Sequence, residues 1–280
     1  MPDTLDGVVL ADKPPGKTSH DITTVVRRTL GVRKAGHAGT LDPFATGLLV
    51  VLVGRARRVQ RFFTALPKEY VATAQFGAVS TTGDPDGLIT QTGTPMPAEL
   101  HLPTGLIRQR PPAYSAIRVG GVRAYERARR GEEVEIPERE VTIHAFEELW
   151  REGDRAGFRI ECSSGTYVRS LIADLGDAYT LELRRTRIGP FDVADADPAR
   201  VIPLAGALGM FRSAVLDGEA ARRAVHGVAV AADGGVRAAE PRWAVPDPPG
   251  EVLLLDADGP IALAEEREDG LLKPVVGFRA

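Results

Sequence analysis

The chain has 280 residues, of which 43% are hydrophobic and 26% charged, and its formal net charge is −3. These values are ordinary for a soluble globular protein, and the length allows one large core with a small second domain. No apolar run approaches the roughly 20 residues of a membrane-spanning helix, and the acidic N-terminus lacks the features of a signal peptide. Cys162 is the only cysteine, which excludes an intrachain disulfide and leads us to expect a cytoplasmic protein.

Positive and negative charges are distributed unequally along the chain. Residues 1–64 contain ten basic against five acidic residues, whereas residues 213–280 contain seven against twelve. Between Arg108 and Arg130 there are seven Arg and a single acid, Glu126. Arg accounts for 30 of the 35 basic residues, and it can bind phosphates bidentately, although codon bias explains such an excess equally well. The asymmetry favours a basic, RNA-facing portion followed by an acidic tail.

In the first half of the chain, apolar spacing and turn residues predict alternating strands and helices. The pattern predicts strands at 7–11, 48–53 and 69–76, helices at 18–30 and 55–66, and a loop without core-forming residues at 81–87. Thr18 or Ser19 can cap the first helix. Arginines at helical spacing give the second helix a basic outer face.

The second half begins with the arginine-rich segment and ends in short strand-like runs. The pattern predicts strands at 114–119, 158–162 and 182–191, a turn at 120–121, and helices at 123–130 and 167–175. Further short strands are expected at 228–230, 251–255, 260–264 and 274–278. These last runs, separated by turn residues, indicate a small β domain of about 70 residues from position 210.

Candidate chemistry is concentrated in residues 36–49, Gly-His-Ala-Gly-Thr-Leu-Asp-Pro-Phe-Ala-Thr-Gly-Leu-Leu. Its glycines allow close backbone approach, and Pro43 favours an extended backbone at Asp42. The segment therefore displays a carboxylate on a stiff loop immediately before a buried strand. From the residues alone, an ordinary Asp-Pro turn with His37 at the surface is the simpler interpretation.

This loop resembles the catalytic loop of pseudouridine synthases, in particular the TruB family, which makes pseudouridine in the T-loop of tRNA. Four further stretches resemble the family in the same order, so that the likeness covers roughly residues 5–195. They are Leu-Ala-Asp-Lys-Pro-Pro-Gly at 10–16, Lys-Glu-Tyr at 68–70, Pro-Pro-Ala-Tyr-Ser-Ala at 111–116, and Gly-Thr-Tyr-Val-Arg at 165–169 with Leu-Arg-Arg at 183–185.

The resemblance implies an α+β pseudouridine-synthase fold, with a mixed, largely antiparallel central sheet flanked by helices. It implies a catalytic domain over residues 1–209 with a thumb-like RNA-binding insertion at about 108–139. A small β-barrel-like domain of the PUA type is expected at 210–280, although this tail is acidic. The expected activity is isomerisation of uridine to pseudouridine at position 55 of tRNA, without a cofactor. The expected partner is the tRNA T-arm, with no membrane and no obligate protein partner, and the protein is expected to be a monomer.

The resemblance also assigns the catalytic residues. Asp42 is expected to be the catalytic nucleophile, acting on a flipped-out uridine, and attack on the uracil, attack on the sugar and proton removal at C2′ all remain open. Arg169 is expected to pair with Asp42 and keep its pKa low. Tyr70 is expected to stack on the uracil with its hydroxyl near C5. Without the resemblance, Arg169 reads as a surface helix residue and Tyr70 as a core residue.

Further contacts to the RNA follow from the same likeness. Tyr167 and Leu183 are expected to line the uracil pocket, and His37 to contact a base or fill the stack that the flipped uridine vacates. Lys13 is expected either to brace the pocket or to meet a phosphate. The thumb arginines are expected to contact the RNA backbone without reading sequence. They are Arg123, Arg127 and Arg130.

Three other functions compete with this prediction. A synthase guided by a separate RNA is disfavoured because such relatives lack the thumb-like insertion. An RNA-binding or tRNA-folding module without chemistry is disfavoured by the presence of Asp42, Tyr70 and Arg169 together. A metal-dependent enzyme is disfavoured because the five histidines have no ligand-like spacing, so no metal is expected.

Overall fold

A computed structural model describes residues 5–115, 117–124, 127, 130, 132, 136–239 and 250–279, with the backbone alone at 118, 119 and 123. The described residues contain the following strands: β1 (Gly7–Lys13), β2 (Ala35–His37), β3 (Thr46–Val53), β4 (Lys68–Phe76), β5 (Ala78–Ser80), β6 (Ile89–Gln91), β7 (Gly105–Gln109), β8 (Arg118–Val119), β9 (Val122–Arg123), β10 (Arg139–Glu152), β11 (Arg155–Cys162), β12 (Ala178–Ile188), β13 (Phe191–Asp192), β14 (Ile202–Pro203), β15 (Arg212–Val215), β16 (Val252–Asp256), β17 (Gly259–Glu266) and β18 (Leu272–Gly277). The helices are α1 (Ser19–Thr29), α2 (Gln60–Ala65), α3 (Val168–Ala173), α4 (Leu204–Ala207) and α5 (Gly218–Val225).

Ten strands form one large sheet in the order β14-β1-β3-β12-β4-β11-β10-β7, with β2 paired to β3 and β13 paired to β12. Every pairing in this sheet is antiparallel except that between β12 and β3, which meet in parallel at Arg184–Thr46 and Arg185–Gly47. The predicted mixed, largely antiparallel sheet is therefore confirmed. The parallel pairing matters for the site, because it brings the arginines of β12 against the start of β3.

Side chains alternate across the central strands of this sheet, as the two-residue period of a strand requires. On β4, Lys68 and Tyr70 are buried, whereas Glu69 is partly exposed and Val71 is exposed. The register places Tyr70 opposite Arg185 of β12 and Ile160 of β11 on the same face. One face of these strands therefore forms the floor of a cleft, and the other carries charged side chains.

Helix α1 begins as the sequence predicts. Thr18 is the N-cap residue, and a capping box joins it to Asp21 through hydrogen bonds in both directions. Val26 is buried against the sheet, whereas the adjacent Val25 is exposed. Ser19 is also buried, at the first turn of the helix, and this position brings its hydroxyl to the loop that carries Asp42.

The predicted helix at 55–66 consists of a 3₁₀ segment, Gly54–Val59, followed by α2. Its arginines are not simply a solvated basic face. Arg55 donates to the carbonyl of Phe278, and Arg58 donates to the carbonyl of Gly277 at 2.6 Å. This helical segment therefore holds the last strand of the chain against the main body.

The C-terminal region is built on a four-stranded sheet in the order β15-β16-β17-β18. Val230 pairs with Leu272 at one edge, and Arg237 pairs with Ser213 at the other edge, so residues 230–237 connect the two edges. The predicted strand at 228–230 is reduced to the single bridge at Val230. The other three predicted strands correspond to β16, β17 and β18.

One apolar cluster spans position 209 without a break. It includes Phe62 and Phe191 from the main body together with Phe211, Leu253 and Phe278 from the C-terminal region. Phe62 and Phe211 meet edge to face, with ring centroids 5.4 Å apart. The C-terminal sheet therefore packs directly on the main sheet and does not hang from a linker.

Two predictions in the arginine-rich segment differ from the structure or fall outside it. The predicted strand at 114–119 is only Arg118–Val119 within the described residues, because Tyr114 and Ser115 form a bend whose carbonyl and side chain turn toward the cleft. Half of the predicted helix at 123–130 lies outside the described residues; within the described half, Ala124 and Arg127 are helical and the backbone of Arg123 belongs to β9. Within the described part of the chain, no helix is both long enough and apolar enough to span a membrane.

Candidate active site

The aspartate loop runs from β2 to β3 and requires glycine at two points. Gly39 has φ +96° and lies against Arg185, and Gly47 has φ +100°. A Cβ atom at Gly47 would lie 2.2 Å from the carbonyl oxygen of Arg185, which is sterically forbidden. Both glycines therefore allow β12 to pack closely against the loop that carries Asp42.

Arg185 holds the first part of this loop from the neighbouring strand. Its guanidinium is almost fully buried and donates to the carbonyls of Leu48 at 2.8 Å, Gly39 at 3.1 Å and Thr40 at 3.5 Å. Hydrogen bonds from a charged donor are stronger than neutral ones. The loop geometry before Asp42 is therefore fixed by a residue far along the chain.

Two more buried side chains hold the loop on either side of Asp42. The Ser19 hydroxyl accepts from the Leu41 amide at 2.9 Å and donates to the Leu41 carbonyl at 3.2 Å. The Lys13 ammonium donates to the carbonyl of Pro43 at 3.0 Å, as well as to the carbonyls of Pro14 and Lys17. Loop carbonyls before and after Asp42 are thus held from three different elements.

Asp42 forms an ion pair with Arg169, whose Nε lies 2.9 Å from Oδ2 of the carboxylate. Arg169 is only 3% exposed, and its Nη1 lies 3.1 Å from Oδ2 of a second carboxylate, Asp84, which is buried, whereas Asp42 is partly exposed. The same guanidinium donates to the carbonyls of Thr82 at 2.6 Å and Tyr114 at 2.9 Å. One buried cation therefore lies between two carboxylates and is fixed by two carbonyls.

The pKa of Asp42 is raised above its ordinary value, mainly because burial disfavours the ionised carboxylate. Arg169 lowers the pKa of Asp42 but does not offset the burial, and the nearby Asp84 raises it further. The expectation that Arg169 keeps this pKa low is therefore wrong in its net direction, although the predicted ion pair is present. The burial of Asp42 decides the direction of its pKa shift, and the sequence does not reveal how deeply a residue is buried.

A cavity of about 250 Å³ opens beside Asp42 and brings together most of the predicted pocket residues. Its lining includes Asp42, Tyr70, Tyr167, Arg169 and Leu183. Burial raises the pKa of Tyr70 above its ordinary value, and Arg185 opposes this shift, so the phenol is neutral at physiological pH. The cavity offers one carboxylate, flat aromatic surfaces and an apolar wall.

A larger cavity of about 690 Å³ lies on the other side of Asp42 and Arg169. His37 lines this cavity and not the smaller one, together with Ser19, Asp84 and Tyr114. The Nδ1 atom of His37 is buried without a hydrogen-bond partner, and burial lowers the pKa of His37, so its imidazole is neutral at pH 7. Asp42 therefore stands where the two cavities meet.

The structure separates Lys13 from the other predicted binding residues. Its side chain is fully buried and lines neither cavity, and its ammonium donates hydrogen bonds to three backbone carbonyls. Burial lowers the pKa of Lys13, with Asp42 opposing the shift. Of the two alternatives predicted for Lys13, its contacts correspond to bracing the loop and do not leave the ammonium open to a phosphate.

Of the predicted thumb arginines, the two whose side chains the structure describes, Arg127 and Arg130, lie apart from the cleft lining. Arg127 and Arg130 both pair with Glu132, at 2.7 Å and 3.6 Å. The backbone of Arg123 belongs to β9, and its side chain lies outside the described residues. Neither Arg127 nor Arg130 lines the two cavities beside Asp42.

Four residues of the site were not predicted: Asp84, Arg185, Lys68 and Arg139. Asp84 lies in the segment that was interpreted as a plain loop, and only its contact with Arg169 reveals its importance. Arg185 was detectable in principle, because the two-residue period of β12 places it on the same face as Leu183. Lys68 lines the smaller cavity, donates to the carbonyls of Thr64 and Leu66, and has a pKa lowered to about 7 by burial.

Arg139 also lines the smaller cavity, at the first residue of β10. Its guanidinium lies over the ring of Tyr167, with Cζ 4.8 Å from the ring centroid. Gln109 fixes the backbone of Tyr167 by accepting from its amide at 2.8 Å and donating to its carbonyl at 2.9 Å. No three His, Cys, Asp or Glu side chains converge as a metal site anywhere in the described residues.

Comparison with known proteins agrees with this geometry. A family model described as "TruB family pseudouridylate synthase (N terminal domain)" matches residues 27–168, which include the aspartate loop and Tyr70. The fold and the site thus define a pseudouridylate synthase, an enzyme that isomerises uridine. The chain belongs to the TruB family of these synthases.

Curated relatives match nearly the whole chain. A tRNA pseudouridine synthase B from Thermobifida fusca is 40% identical over 98% of both chains. A tRNA pseudouridine synthase B from Nocardia farcinica is 43% identical over 95% of this chain and 91% of the relative. Both relatives therefore share the C-terminal region as well as the catalytic loop.

Solved structures share the overall fold. A chain in the crystal structure of a Cbf5-Nop10-Gar1 complex is 26% identical, with a TM-score of 0.69 over 96% of this chain and 83% of that chain. A chain in the structure of an H/ACA RNP bound to a substrate RNA containing 2′-deoxyuridine has a TM-score of 0.68 at 24% identity, over 98% of this chain and 85% of that chain. The second likeness concerns the fold alone.

Proposed function

We propose that this protein converts uridine to pseudouridine in the T-loop of tRNA, at position 55, with Asp42 as the catalytic nucleophile. The observation that carries the proposal is the ion pair between Asp42 and Arg169 at the junction of two cavities, one of which is lined by Tyr70, Tyr167 and Leu183. The names of the relatives that match almost the whole chain support tRNA as the substrate.

The target uridine must leave its stack before it can reach Asp42, at a cost of a few kcal/mol. The smaller cavity can receive the extruded base, with the neutral ring of Tyr70 as its stacking surface and Leu183 as an apolar wall. Base–aromatic stacking stabilises such a pose by about 1–3 kcal/mol. His37, in the larger cavity, is suited to contact a neighbouring base as a neutral imidazole.

The reaction breaks the bond between N1 of uracil and C1′ of the ribose, and forms a bond between C5 and C1′. The proton on C5 leaves and N1 gains one, so the reaction is an isomerisation that consumes no other reactant. Asp42 must be ionised to attack either the uracil ring or C1′. Burial raises the pKa of Asp42 and Arg169 lowers it, so Arg169 favours the reactive, ionised form of the carboxylate.

Bracing of the loop supports the same role for Asp42. A nucleophile acts efficiently only when the reacting atoms are held in near-attack geometry. Lys13, Ser19 and Arg185 fix the backbone around Asp42 before RNA binds. We therefore propose Lys13 as a residue that positions the loop and not as a phosphate ligand.

The remaining RNA contacts extend the proposal beyond the cleft. Residues 1–209 form the catalytic domain, and the insertion at about 108–139 contacts the RNA backbone through Arg123, Arg127 and Arg130. Residues 210–280 form a PUA-type unit, which is supported by the crossing of residues 230–237 between the two edges of its sheet. The enzyme acts in the cytoplasm as a monomer, without a cofactor or an obligate protein partner.

Tritium release from a T-arm RNA hairpin carrying [5-³H]uridine tests the proposed function. We expect release by the wild-type protein and none above background by the Asp42→Asn variant, which should still bind the hairpin. A hairpin with cytidine at the target position, and tritium in another uridine, is the substrate control. Turnover by the Asp42→Asn variant would contradict the role of Asp42, and activity confined to ribosomal RNA fragments would contradict the substrate.

A further inference from the structure

The smaller cavity contains four basic side chains, and three of them have partners built into the protein. Arg169 is held by Asp42 and Asp84, and Arg185 and Lys68 donate to backbone carbonyls. Arg139 differs from these three. The Nε atoms of Arg139 and Arg169 are both buried without a hydrogen bond of good geometry, but Arg169 has two carboxylates and two carbonyls as partners, whereas among the residues that the structure describes no carboxylate pairs with Arg139.

The guanidinium of Arg139 is nevertheless well positioned. It lies over the ring of Tyr167 and also close to Gly165, where an added Cβ atom would come within 3.4 Å of Cζ. Gln109, which opposes Arg139 in the β7–β10 register, fixes the backbone of Tyr167 through two hydrogen bonds. A long, flexible side chain is thus held flat at the wall of the cavity.

The charge balance of the cavity indicates what Arg139 binds. Asp42 is the only acidic side chain in its described lining, and that carboxylate already faces Arg169. Uracil is neutral at physiological pH and cannot serve as the anion. The phosphates on either side of the flipped nucleotide are the nearest anions that an RNA substrate can provide, and Arg is well suited to bind them bidentately.

We propose that Arg139 binds one of the two phosphates that flank the target uridine and thereby holds the extruded nucleotide beside Tyr167. This inference rests on the proposed function, because it takes RNA as the substrate. It adds a phosphate site inside the cleft to the predicted contacts of Arg123, Arg127 and Arg130. Arg127 and Arg130 lie outside the cavity lining, whereas Arg139 lines the cavity that receives the reacting nucleotide.

Neutral phosphate analogues test the contact directly. T-arm hairpins would carry a methylphosphonate either 5′ or 3′ of the target uridine, and affinities would be measured in an Asp42→Asn background that prevents turnover. With Arg139 intact, we expect one of the two neutral linkages to weaken binding about tenfold, since charge-assisted hydrogen bonds are lost. With Arg139→Met, the same linkage should change affinity less than about twofold.

The affinities for the charged and the neutral hairpin are compared within one variant, so any unfolded fraction of that variant lowers both affinities equally and cancels in their ratio. Arg139→Lys should retain part of the penalty, because the charge remains while the planar fork is lost. Arg155→Met is the matched control. Arg155 is exposed at the first residue of β11, does not line the cavity, and contacts Gln75. That control should show the same penalty as the protein with Arg139 intact.

The salt dependence of binding is a second readout. Loss of one phosphate contact should reduce the slope of log affinity against log salt by about 0.7–0.9 in Arg139→Met and leave it unchanged in Arg155→Met. Equal penalties for the neutral linkage with and without Arg139 would overturn the inference. Because binding is measured without turnover, that result is distinct from a failure of the wild-type protein to form pseudouridine, which would overturn the proposed function.

Discussion

On both β12 and β4, neighbouring residues face opposite sides of the sheet and therefore two different environments, even where the residue type is the same. Arg184 is exposed and pairs with Asp12 at 2.7 Å, whereas the next residue, Arg185, is buried and donates to loop carbonyls. On β4, Glu69 faces the charged outer surface and Tyr70 faces the cleft. A shift of one residue along a strand therefore separates a solvated ion pair from a part of the reaction site.

The same contrast holds for two arginines that each join two carboxylates. Arg169 lies between Asp42 and Asp84 and is 3% exposed, whereas Arg159 lies between Glu69 and Glu147 and is 34% exposed. Exposed pairs are screened by water and contribute little, but a buried charge that loses its partner is costly. The number of ion pairs thus says little about the stability of the protein, because the contribution of each pair depends on how deeply it is buried.

Replacement of the two bridging arginines by Met should show the largest difference. We expect Arg169→Met to lower the free energy of unfolding by about 3 kcal/mol, because the buried carboxylate of Asp84 and the partly buried carboxylate of Asp42 lose their partner. Arg159→Met should cost about 0–1 kcal/mol. Thermal and urea unfolding would measure both, and similar losses for the two variants would contradict the contrast.

Arg169→Met should also change the pH dependence of activity. Asp42 acts ionised, so activity falls as the pH drops through its pKa, and loss of Arg169 raises that pKa further. The acidic limb of the kcat profile should therefore move to higher pH than in wild type. An unchanged limb in a folded variant would mean that Asp42 does not control it.

Replacement of the adjacent arginines of β12 should give the next largest difference. Arg185→Met leaves the carbonyls of Leu48, Gly39 and Thr40 without a donor, and we expect a loss of about 3 kcal/mol in the free energy of unfolding. Arg184→Met should cost less than about 1 kcal/mol. Chemical denaturation compares them, and a larger effect at Arg184 would refute the assignment of the two faces.

Ser19→Ala should have a moderate effect on stability and a separate effect on turnover. It removes both hydrogen bonds to Leu41, which we expect to cost about 1–2 kcal/mol. Because Leu41 adjoins Asp42, kcat should fall about tenfold. Thr23→Ala, which removes a buried hydrogen bond to the Ser19 carbonyl, is the control for stability and should leave kcat near wild type.

Asp42→Asn should have the smallest effect on stability, and unlike the preceding variants it should not destabilise the protein. Burial raises the pKa of Asp42 above its value in the unfolded chain, so the folded protein binds this proton more tightly. The wild-type protein therefore loses stability as the pH rises from the unfolded pKa of Asp42 through its folded pKa. At pH 7 the variant should therefore have a Tm equal to or slightly above that of wild type. Calorimetry at pH 4 and pH 7 tests this, and a marked decrease in Tm at pH 7 would count against it.

Periodicity and turn chemistry were sufficient for the local elements. The strand at 48–53, the capped helix after Thr18 and the strand at 69–76 all lie where the pattern predicts them. Resemblance to a family was needed to bring Asp42 together with Arg169, because they lie on separate elements more than 120 residues apart. Local pattern carries no information about such distant contacts.

Two features of the site depended on the three-dimensional structure. Asp84 lies in a polar turn segment, and its place in the site comes from the ion pair with Arg169 of helix α3. The pKa of Asp42 depends on the balance between burial and the charge of Arg169, and the sequence supplies only the second of these. Burial depth and long-range charge contacts are properties of the folded chain.

The hydrogen bond from Arg185 to the Gly39 carbonyl spans 146 residues of sequence. During synthesis, the aspartate loop leaves the ribosome long before the strand that fixes it. A nascent chain that ends before β12 contains the whole loop, Tyr70 and Arg169, yet lacks the guanidinium that fixes the carbonyls of Gly39 and Thr40. The order of synthesis thus delays assembly of the reaction site until more than six tenths of the chain have been made.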